Sequence, residues 1–270
     1  MCHGFAILFV AVDFDMPEMI KHPLHIFFNA LTFYTRLPAP KWVIYSENNL
    51  NRASAYFPLM GILVACLSYG VFQLAHMALP FDLSLLISMA ASLLITGAFH
   101  EDGFADLCDG FGGGWQQADI LRIMKDSRLG TYGVCGLFFI LALKWVSLSS
   151  IALESLFISL ILAHALSRAW SISLIAFLPY VQADSQSKAK PIALQWHGKD
   201  LALAWSWAII PLFFIPMYTV CSLMLVGLLA TIMIRQWFQH RLQGYTGDAL
   251  GASQQIQEVL VYWVLIATLT

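Results

Sequence analysis

Long apolar stretches recur along this chain, and they limit what it can fold into more than any other feature. Two clear examples run from Ala53 to Leu79 and from Val220 to Phe238. A helix needs about 20 mostly apolar residues to cross a bilayer, where its backbone groups must be satisfied internally. Charged residues make up only 11% of the chain, whereas soluble domains average about 25%. The sequence therefore predicts an all-α, polytopic integral membrane protein.

The expected bundle has about six to eight membrane segments, judged by the length of the apolar stretches. Beyond the two stretches above, the candidates are Leu24–Thr35, Leu83–Phe99, Val134–Leu153, Leu156–Leu178, Leu201–Tyr218 and Val259–Leu269. Whether Leu24–Thr35 crosses the bilayer is left open. Residues 1–18 are treated as an N-terminal extension of uncertain status, with Met19 as an alternative start. Residues 19–270 are expected to form one membrane-embedded domain.

Basic residues predict the orientation of the bundle. When successive loops are assigned alternately to the two sides of the membrane, the basic residues fall on one side, in the loops near 36–52, 100–130, 180–200 and 235–256. The turns that alternate with these contain no Lys or Arg: 80–82, 154–155 and 219. Cytoplasmic loops carry the excess of Lys and Arg. The loops with chemical character are therefore expected to meet on the cytoplasmic face.

An acidic row directly follows the Leu83–Phe99 span, which is expected to run straight into it. Asp102, Asp106 and Asp109 stand at positions i, i+4 and i+7, so on a helix they share one narrow stripe. Carboxylates at this density suit Mg²⁺ or Mn²⁺, although a solvated acidic helix face is the plain alternative. Gly103 would let a substrate or another backbone come close beside the acids. The glycines from Gly110 onward are expected to end the helix.

A basic loop follows the acidic row after a short predicted helix. It contains Lys125, Asp126 and Arg128 beside Gly130 and Gly133. Arg offers a planar fork to phosphate oxygens and Lys a movable charge, while backbone N–H groups near the glycines could add donors. A juxtamembrane cluster that only sets topology is the alternative. Opposite a row of carboxylates, however, this loop indicates phosphoryl transfer.

Several ionisable residues lie next to or inside the apolar spans. His100 precedes the acids, and its role is left open between metal ligand, general base and hydrogen-bond partner of Asp102. Arg168 lies midway along the Leu156–Leu178 span, with His164 nearby. A charge at that depth is expensive and marks a polar cavity or a partner inside the bundle. Lys144 has the same status and is expected to snorkel or to pair with a carboxylate.

A glycine-rich turn precedes the last apolar stretch. It contains Thr246, Gly247 and Asp248. Such a turn could cradle a nucleotide or add a metal ligand. A plain connection before the last helix is the alternative.

Together these stretches resemble the cobalamin synthase family, the adenosylcobinamide-GDP ribazoletransferases of vitamin B12 nucleotide-loop assembly. The matching segments, in the family's order and spacing, are Phe33–Pro40, Gly97–Gly110, Ile123–Gly133, Ser167–Arg168 and Thr246–Ala252. The chain departs from the family's pattern in its N-terminal extension and at Glu101, where the family commonly has an apolar residue. Glu101 is therefore left out of the expected site.

The resemblance implies a Mg²⁺-dependent enzyme of the cytoplasmic (inner) membrane. It would join adenosylcobinamide-GDP to α-ribazole, or to α-ribazole 5′-phosphate, and release GMP late in cobalamin biosynthesis. In this hypothesis Asp102, Asp106 and Asp109 hold one or two Mg²⁺ ions, with Mn²⁺ as a substitute. Lys125 and Arg128 neutralise the leaving group, and a carboxylate or His100 takes the proton. The expected substrate-binding residues are Asp126, Gly130, Gly133, Arg168, Thr246, Gly247 and Asp248.

The same residues also bear on the expected partners of the chain and on alternative functions. The lipid bilayer is an expected partner and nucleic acid is not, while a homo-oligomer and contact with other membrane-associated cobalamin enzymes are left open. A CDP-alcohol phosphotransferase would have Ala-Arg where Ala105 is followed by Asp106. An ion transporter would place acids in the middle of several spans. Both alternatives fit less well than the ribazoletransferase.

Overall fold

The fold is a helical bundle, seen in a computed structural model that describes residues 18–181 and 198–269, with side chains from Pro23 onward. Its helices are α1 (Glu18–Tyr34), α2 (Glu47–Arg52), α3 (Phe57–His76), α4 (Phe81–Thr96), α5 (Phe99–Gly113), α6 (Gln117–Met124), α7 (Thr131–Ser149), α8 (Leu153–Ser173), α9 (Gly198–Ile209), α10 (Met217–Arg241) and α11 (Gly247–Leu269). Short 3₁₀ segments cover Ala53–Tyr56, Leu174–Ala176 and Ile210–Phe214. The described part contains no β-strand, so the predicted all-α class is confirmed.

Four helices in the described ranges are long and apolar enough to cross a membrane. They are Glu47–His76, Thr131–Ser149, Leu153–Ala176 and Met217–Arg241, and α4 with α5 adds a fifth if that bent pair counts as one span. The predicted Leu201–Tyr218 span is instead divided among α9, a 3₁₀ segment and the start of α10. By this criterion the described chain has fewer spans than the predicted six to eight. The predicted extension before residue 18 and most of the 180–200 loop lie outside the described residues.

Helix α8 forms the centre of the bundle. The apolar stretch of 18 residues within Leu153–Ala176 is 89% buried. The corresponding stretches of α7 and α10 are only 28% buried, so these helices face outward. Ala163, Ala165 and Ala169 have no exposed surface, and α3 and α11 pack closely on either side of α8. Small side chains let helix backbones approach one another in membrane bundles. Helix α11 therefore packs against the buried central helix, and α5 packs against α11.

The chain bends by 88° between α4 and α5. Gly97 and Ala98 both adopt left-handed backbone angles, with φ of 68° and 55°, and this conformation ends a helix. The Arg36 side chain packs directly against Gly97, leaving no room for a Cβ. The Arg36 backbone N–H also donates to the Ile95 carbonyl oxygen at 2.7 Å. The prediction that the span runs straight into the acidic row is therefore wrong.

Helix α5 continues to Gly113, beyond the expected end at Gly110. The Arg241 guanidinium donates from Nη2 to the carbonyl oxygens of Phe111 and Gly114, at 3.0 and 2.7 Å. It also lies 4.9 Å from the centre of the Phe111 ring. The last carbonyls of a helix have no partner within the helix, and a cation there is favourable. Arg241 therefore stabilises a glycine-rich turn that its own residues favour poorly.

Candidate active site

Helix α5 and the start of α11 touch through glycine. A Cβ on Gly103 would lie 2.8 Å from both the Cα and the carbonyl oxygen of Asp248, and one on Gly251 would lie 3.3 Å from the Cα of His100. Any larger side chain at Gly103 would force the helices apart. The expectation that Gly103 admits another backbone beside the acids is confirmed.

This contact brings Asp248 next to the acidic row. Asp102 is exposed, while Asp106 and Asp248 are half-buried. Asp106 interacts electrostatically with both of the others, and Asp248 interacts with Asp102. Burial of Asp248, and then the negative charge of Asp102, raise the pKa of Asp248 above its ordinary value. We call Asp102, Asp106 and Asp248 the carboxylate cluster.

Asp109 has a different environment from the other two acids of the row. Its two carboxylate oxygens accept hydrogen bonds from the backbone N–H groups of Gly130 and Gly133, at 2.7 and 2.8 Å. The first N–H groups of a helix lack partners within the helix and attract an anion, and α7 begins at Thr131. The glycine N–H groups predicted to bind phosphate are thus engaged by Asp109. Asp109 connects α5 to the basic loop.

The basic loop presents its charges to solvent. The Arg128 guanidinium donates to both carboxylate oxygens of Asp126, with Nη2–Oδ2 at 2.6 Å and Nε–Oδ1 at 3.0 Å, and the Arg128 backbone N–H also donates to Oδ1. Hydrogen bonds from Arg128 hold the pKa of Asp126 at about 2, and Lys125 is exposed. Asp109, Asp126 and Arg128 line the same open cleft. The loop thus lies at the Asp109 end of the acidic row, and its part in phosphoryl transfer stays a prediction.

The glycine-rich turn before α11 is a helix cap as well as part of the site. The Thr246 hydroxyl is buried and accepts the Ala249 N–H at 3.1 Å, so it caps α11. The turn is held by Tyr245, whose N–H donates to the Pro179 carbonyl oxygen at 2.9 Å. Gly247 is exposed and immediately precedes Asp248 in the chain. The turn therefore connects two helices, caps α11 and places Asp248 beside Asp102, while nucleotide or metal binding by the turn stays a prediction.

Two residues expected in the site lie inside the bundle instead. Arg168 is 2% exposed and donates from Nη1 to the His164 carbonyl oxygen at 2.9 Å. His100 is also 2% exposed, with its ring stacked on Phe57 at 5.4 Å. Among the described residues, His100 Nε2 has no hydrogen-bond partner. The predicted partner of Arg168 within the bundle is confirmed, whereas neither side chain is placed to touch a substrate at the surface.

The sequence did not single out two buried carboxylates in this region. Glu101 lies outside the predicted site and Glu258 carries no prediction, yet Lys144 Nζ lies 3.0 Å from Glu258 Oε1 and 3.7 Å from Glu101 Oε1. The expectation that Lys144 pairs with a carboxylate is confirmed. The polar run from Ser253 to Glu258 within the last helix was the signal for Glu258, because polar groups at such depth need partners.

The donor set of the carboxylate cluster fits Mg²⁺. Within residues 18–181 and 198–269, no three His, Cys, Asp or Glu side chains are arranged to hold one ion on their own. Mg²⁺ is usually bound through one or two carboxylates, with water and substrate phosphates completing its coordination. Asp102, Asp106 and Asp248 offer such oxygens at a surface that a substrate can reach.

Comparisons with known proteins agree on one family. The family model described as cobalamin-5-phosphate synthase matches residues 26–266. An adenosylcobinamide-GDP ribazoletransferase from Shewanella frigidimarina is 44% identical over 247 residues, covering 90% of this chain and 95% of that protein. A protein of the same name from Vibrio cholerae is 40% identical over 255 residues, covering 94% and 98%. No solved structure matches. The chain therefore belongs to the cobalamin-5-phosphate synthase family.

Proposed function

We propose that this chain is an adenosylcobinamide-GDP ribazoletransferase. It would transfer the adenosylcobinamide-phosphate group from its GDP-activated form to α-ribazole, or to α-ribazole 5′-phosphate, and release GMP. The observation that carries the proposal is the meeting of Asp102 and Asp106 with Asp248 across the α5–α11 contact. The names of the relatives, which match over most of their length, support the same reaction.

The carboxylate cluster is the proposed site for the diphosphate. One or two of the carboxylates Asp102, Asp106 and Asp248 would hold Mg²⁺, and the ion would offset the charge of the phosphate oxygens. The mutual repulsion of the three carboxylates favours a bound cation, since like charges in a partly buried site destabilise one another. Asp109 is assigned to the loop rather than to the ion, because its oxygens already accept two backbone N–H groups.

The basic loop would stabilise the leaving group. Arg128 carries a planar fork suited to phosphate oxygens, and Lys125 adds a mobile charge. Asp126 orients the Arg128 guanidinium in the absence of substrate. As the phosphorus–oxygen bond to GMP breaks, the electron pair stays on the GMP phosphate, and these two cations neutralise it.

The acceptor hydroxyl needs a base. The ribose hydroxyl oxygen forms the new bond to the phosphorus on the cobinamide side, and its proton passes to a carboxylate of the cluster. His100 is excluded from this step in our proposal because its ring is buried against Phe57. A carboxylate of the cluster that does not hold the ion would take this proton.

The proposed location is the cytoplasmic membrane, with the site facing the cytoplasm. Arg241 contacts the end of α5, and the basic loop contacts Asp109, so these basic residues lie at the same end of the bundle as the site. Cytoplasmic loops are enriched in such residues. A homo-oligomer and association with other cobalamin enzymes stay predictions.

The deciding assay uses the full chain, purified in detergent, with adenosylcobinamide-GDP and α-ribazole or its 5′-phosphate, with and without Mg²⁺. The expected result is release of GMP in equal amount to cobalamin or its phosphate, dependent on the divalent ion. Absence of GMP with both acceptors, from protein shown to be folded, would contradict the proposal.

A further inference from the structure

Three buried charges join three helices behind the site. Lys144 on α7 places its ammonium between Glu258 on α11 and Glu101 on α5, at 3.0 and 3.7 Å. All three side chains are at most 10% exposed. A buried charge that loses its partner is strongly destabilising. The three residues therefore act as one unit, defined here as the charge lock.

Hydrogen bonds from α11 complete the charge lock. Gln255 Nε2 donates to Glu101 Oε1 at 2.9 Å, and Gln254 Nε2 donates to Glu258 Oε2 at 2.6 Å. The Gln255 bond joins α5 directly to α11, independently of Lys144. Both carboxylates thus have a cation and an N–H donor, which is the arrangement that makes a buried ion pair tolerable.

The charge lock involves both helices that carry the carboxylate cluster, and its residue on α11, Glu258, follows Asp248 by about three helical turns. Glu101 immediately precedes Asp102 on α5, and Gln255 follows Asp248 on α11 by about two helical turns. The same two helices touch at Gly103 and Asp248. The helices also touch at Gly251 and His100, and the charge lock adds a polar attachment to these backbone contacts.

We propose that Glu101, Lys144 and Glu258 fix α5 against α11 and thereby set the separation of Asp102 and Asp106 from Asp248. In this proposal Glu101 and Lys144 are positioning residues that touch no substrate. Their effect on catalysis rests on the proposed function, but their effect on the α5–α11 contact does not. The role is distinct from general stability because the charge lock joins the two helices that carry the cluster.

The test replaces Glu101 and Lys144 together by methionine (E101M/K144M). This change removes one negative and one positive charge, so the net buried charge is unchanged, while Glu258 loses the ammonium at 3.0 Å and keeps its hydrogen bonds from Gln254 and Tyr262. Hydrogen exchange followed by mass spectrometry in detergent should show faster exchange of residues 99–106 and 247–252. In the GMP assay, the Mg²⁺ concentration for half-maximal rate should rise about fivefold or more, because small displacements of positioned groups are costly. The melting temperature should fall, because Glu258 loses its nearest cation, and the positioning role is therefore judged by whether the faster exchange is confined to residues 99–106 and 247–252.

The matched control is Ser147→Ala. Trp263 Nε1 donates to Ser147 Oγ at 3.1 Å, so this variant loses a bond between α7 and α11 without touching α5. It should leave both the exchange of residues 99–106 and the Mg²⁺ dependence unchanged. Equal changes in the control and in E101M/K144M would overturn the positioning role in favour of general loosening.

The remaining outcomes separate this inference from the proposed function. Faster exchange at α5 in E101M/K144M, with no GMP from any form including the wild type, would support the charge lock and contradict the ribazoletransferase. Wild-type exchange and Mg²⁺ dependence in the double variant would overturn the charge lock. Where the double variant does not fold, Glu101→Gln decides, because it keeps the Lys144–Glu258 pair. A smaller shift in the same direction supports the proposal, and no shift overturns it.

Discussion

The backbone of Asp248 lies directly on Gly103, so close that a methyl group on Gly103 would come within 2.8 Å of the Asp248 Cα. Gly103→Ala should therefore push α5 and α11 apart. Overpacking of this kind lowers the free energy of unfolding by about 1–3 kcal/mol. We expect kcat to lose a larger fraction of its wild-type value than the free energy of unfolding does, because the carboxylate cluster spans this contact. The measurements are GMP release and thermal unfolding. Gly70→Ala on α3 is the control, since nothing lies within 4 Å of a Cβ there; a similar loss of rate in that variant would contradict the account.

Neutralising any member of the carboxylate cluster should abolish turnover without unfolding the protein. Asp102→Asn, Asp106→Asn and Asp248→Asn remove a charge from a group of like charges, so folding is not expected to suffer. Loss of a group that stabilises charge in a transition state costs about 10²-fold or more in kcat. GMP release gives the rate, and size-exclusion chromatography in detergent checks folding. Near-normal activity of Asp102→Asn would remove it from the proposed metal site.

Asp109→Asn should lower the stability of the protein, unlike the substitutions in the carboxylate cluster, because Asp109 accepts hydrogen bonds from two backbone N–H groups. An asparagine amide can accept one of them, but its own NH₂ group faces the other. A buried donor left unsatisfied costs about 1–3 kcal/mol. The expected result is a lower melting temperature than in Asp102→Asn, measured by circular dichroism in detergent. An Asp109→Asn protein as stable as the wild type but inactive would return Asp109 to the metal.

Arg128→Ala should raise the KM for adenosylcobinamide-GDP about tenfold, because it removes a charge-assisted pair of bonds to the leaving phosphate. Stability should not change, since an exposed ion pair contributes little. The pKa of Asp126 is held at about 2. A depressed carboxylate pKa means that the pair is intact above the ordinary pKa and is lost only as the pH falls toward 2. The effect on KM should thus be the same in neutral and mildly acidic buffer. Arg128→Lys keeps the charge without the fork, and full rescue by lysine would argue against bidentate binding.

Arg241→Met should loosen the end of α5. The side chain provides hydrogen bonds to Phe111 and Gly114, and a bond from a charged donor contributes about 1.5–3 kcal/mol. Hydrogen exchange of residues 109–114 should become faster, with a smaller effect on residues 99–104. Arg241→Lys is the conservative comparison. Unchanged exchange in the methionine variant would mean that the glycine-rich turn is stable without this contact.

The features that the sequence predicted are those determined by neighbouring residues. The all-α class follows from apolar stretches, and the shared stripe of Asp102 and Asp106 follows from helical spacing. The use of Gly103 for a close approach follows from its missing side chain. In each case the information lies within a few turns of the chain.

The features that sequence reasoning missed depend on distant residues. The bend at Gly97 is packed against Arg36, and the end of α5 depends on Arg241. Asp109 is engaged by Gly130 and Gly133, beyond the intervening helix α6. Spacing along a helix shows that a carboxylate faces a given side, but not which partner lies there. The two backbone N–H bonds to Asp109 are the reason we assign it to the loop rather than to the ion.

The near right angle between α4 and α5 has a consequence for how deep a polar substrate must travel. For an α4 that follows the bilayer normal, the 88° bend directs α5 along the plane of the membrane, and we infer that its acids then lie at the level of the lipid headgroups. A diphosphate can then reach these acids from water without its charges entering the hydrocarbon core. Any apolar portion of the same molecule stays free to lie among the acyl chains.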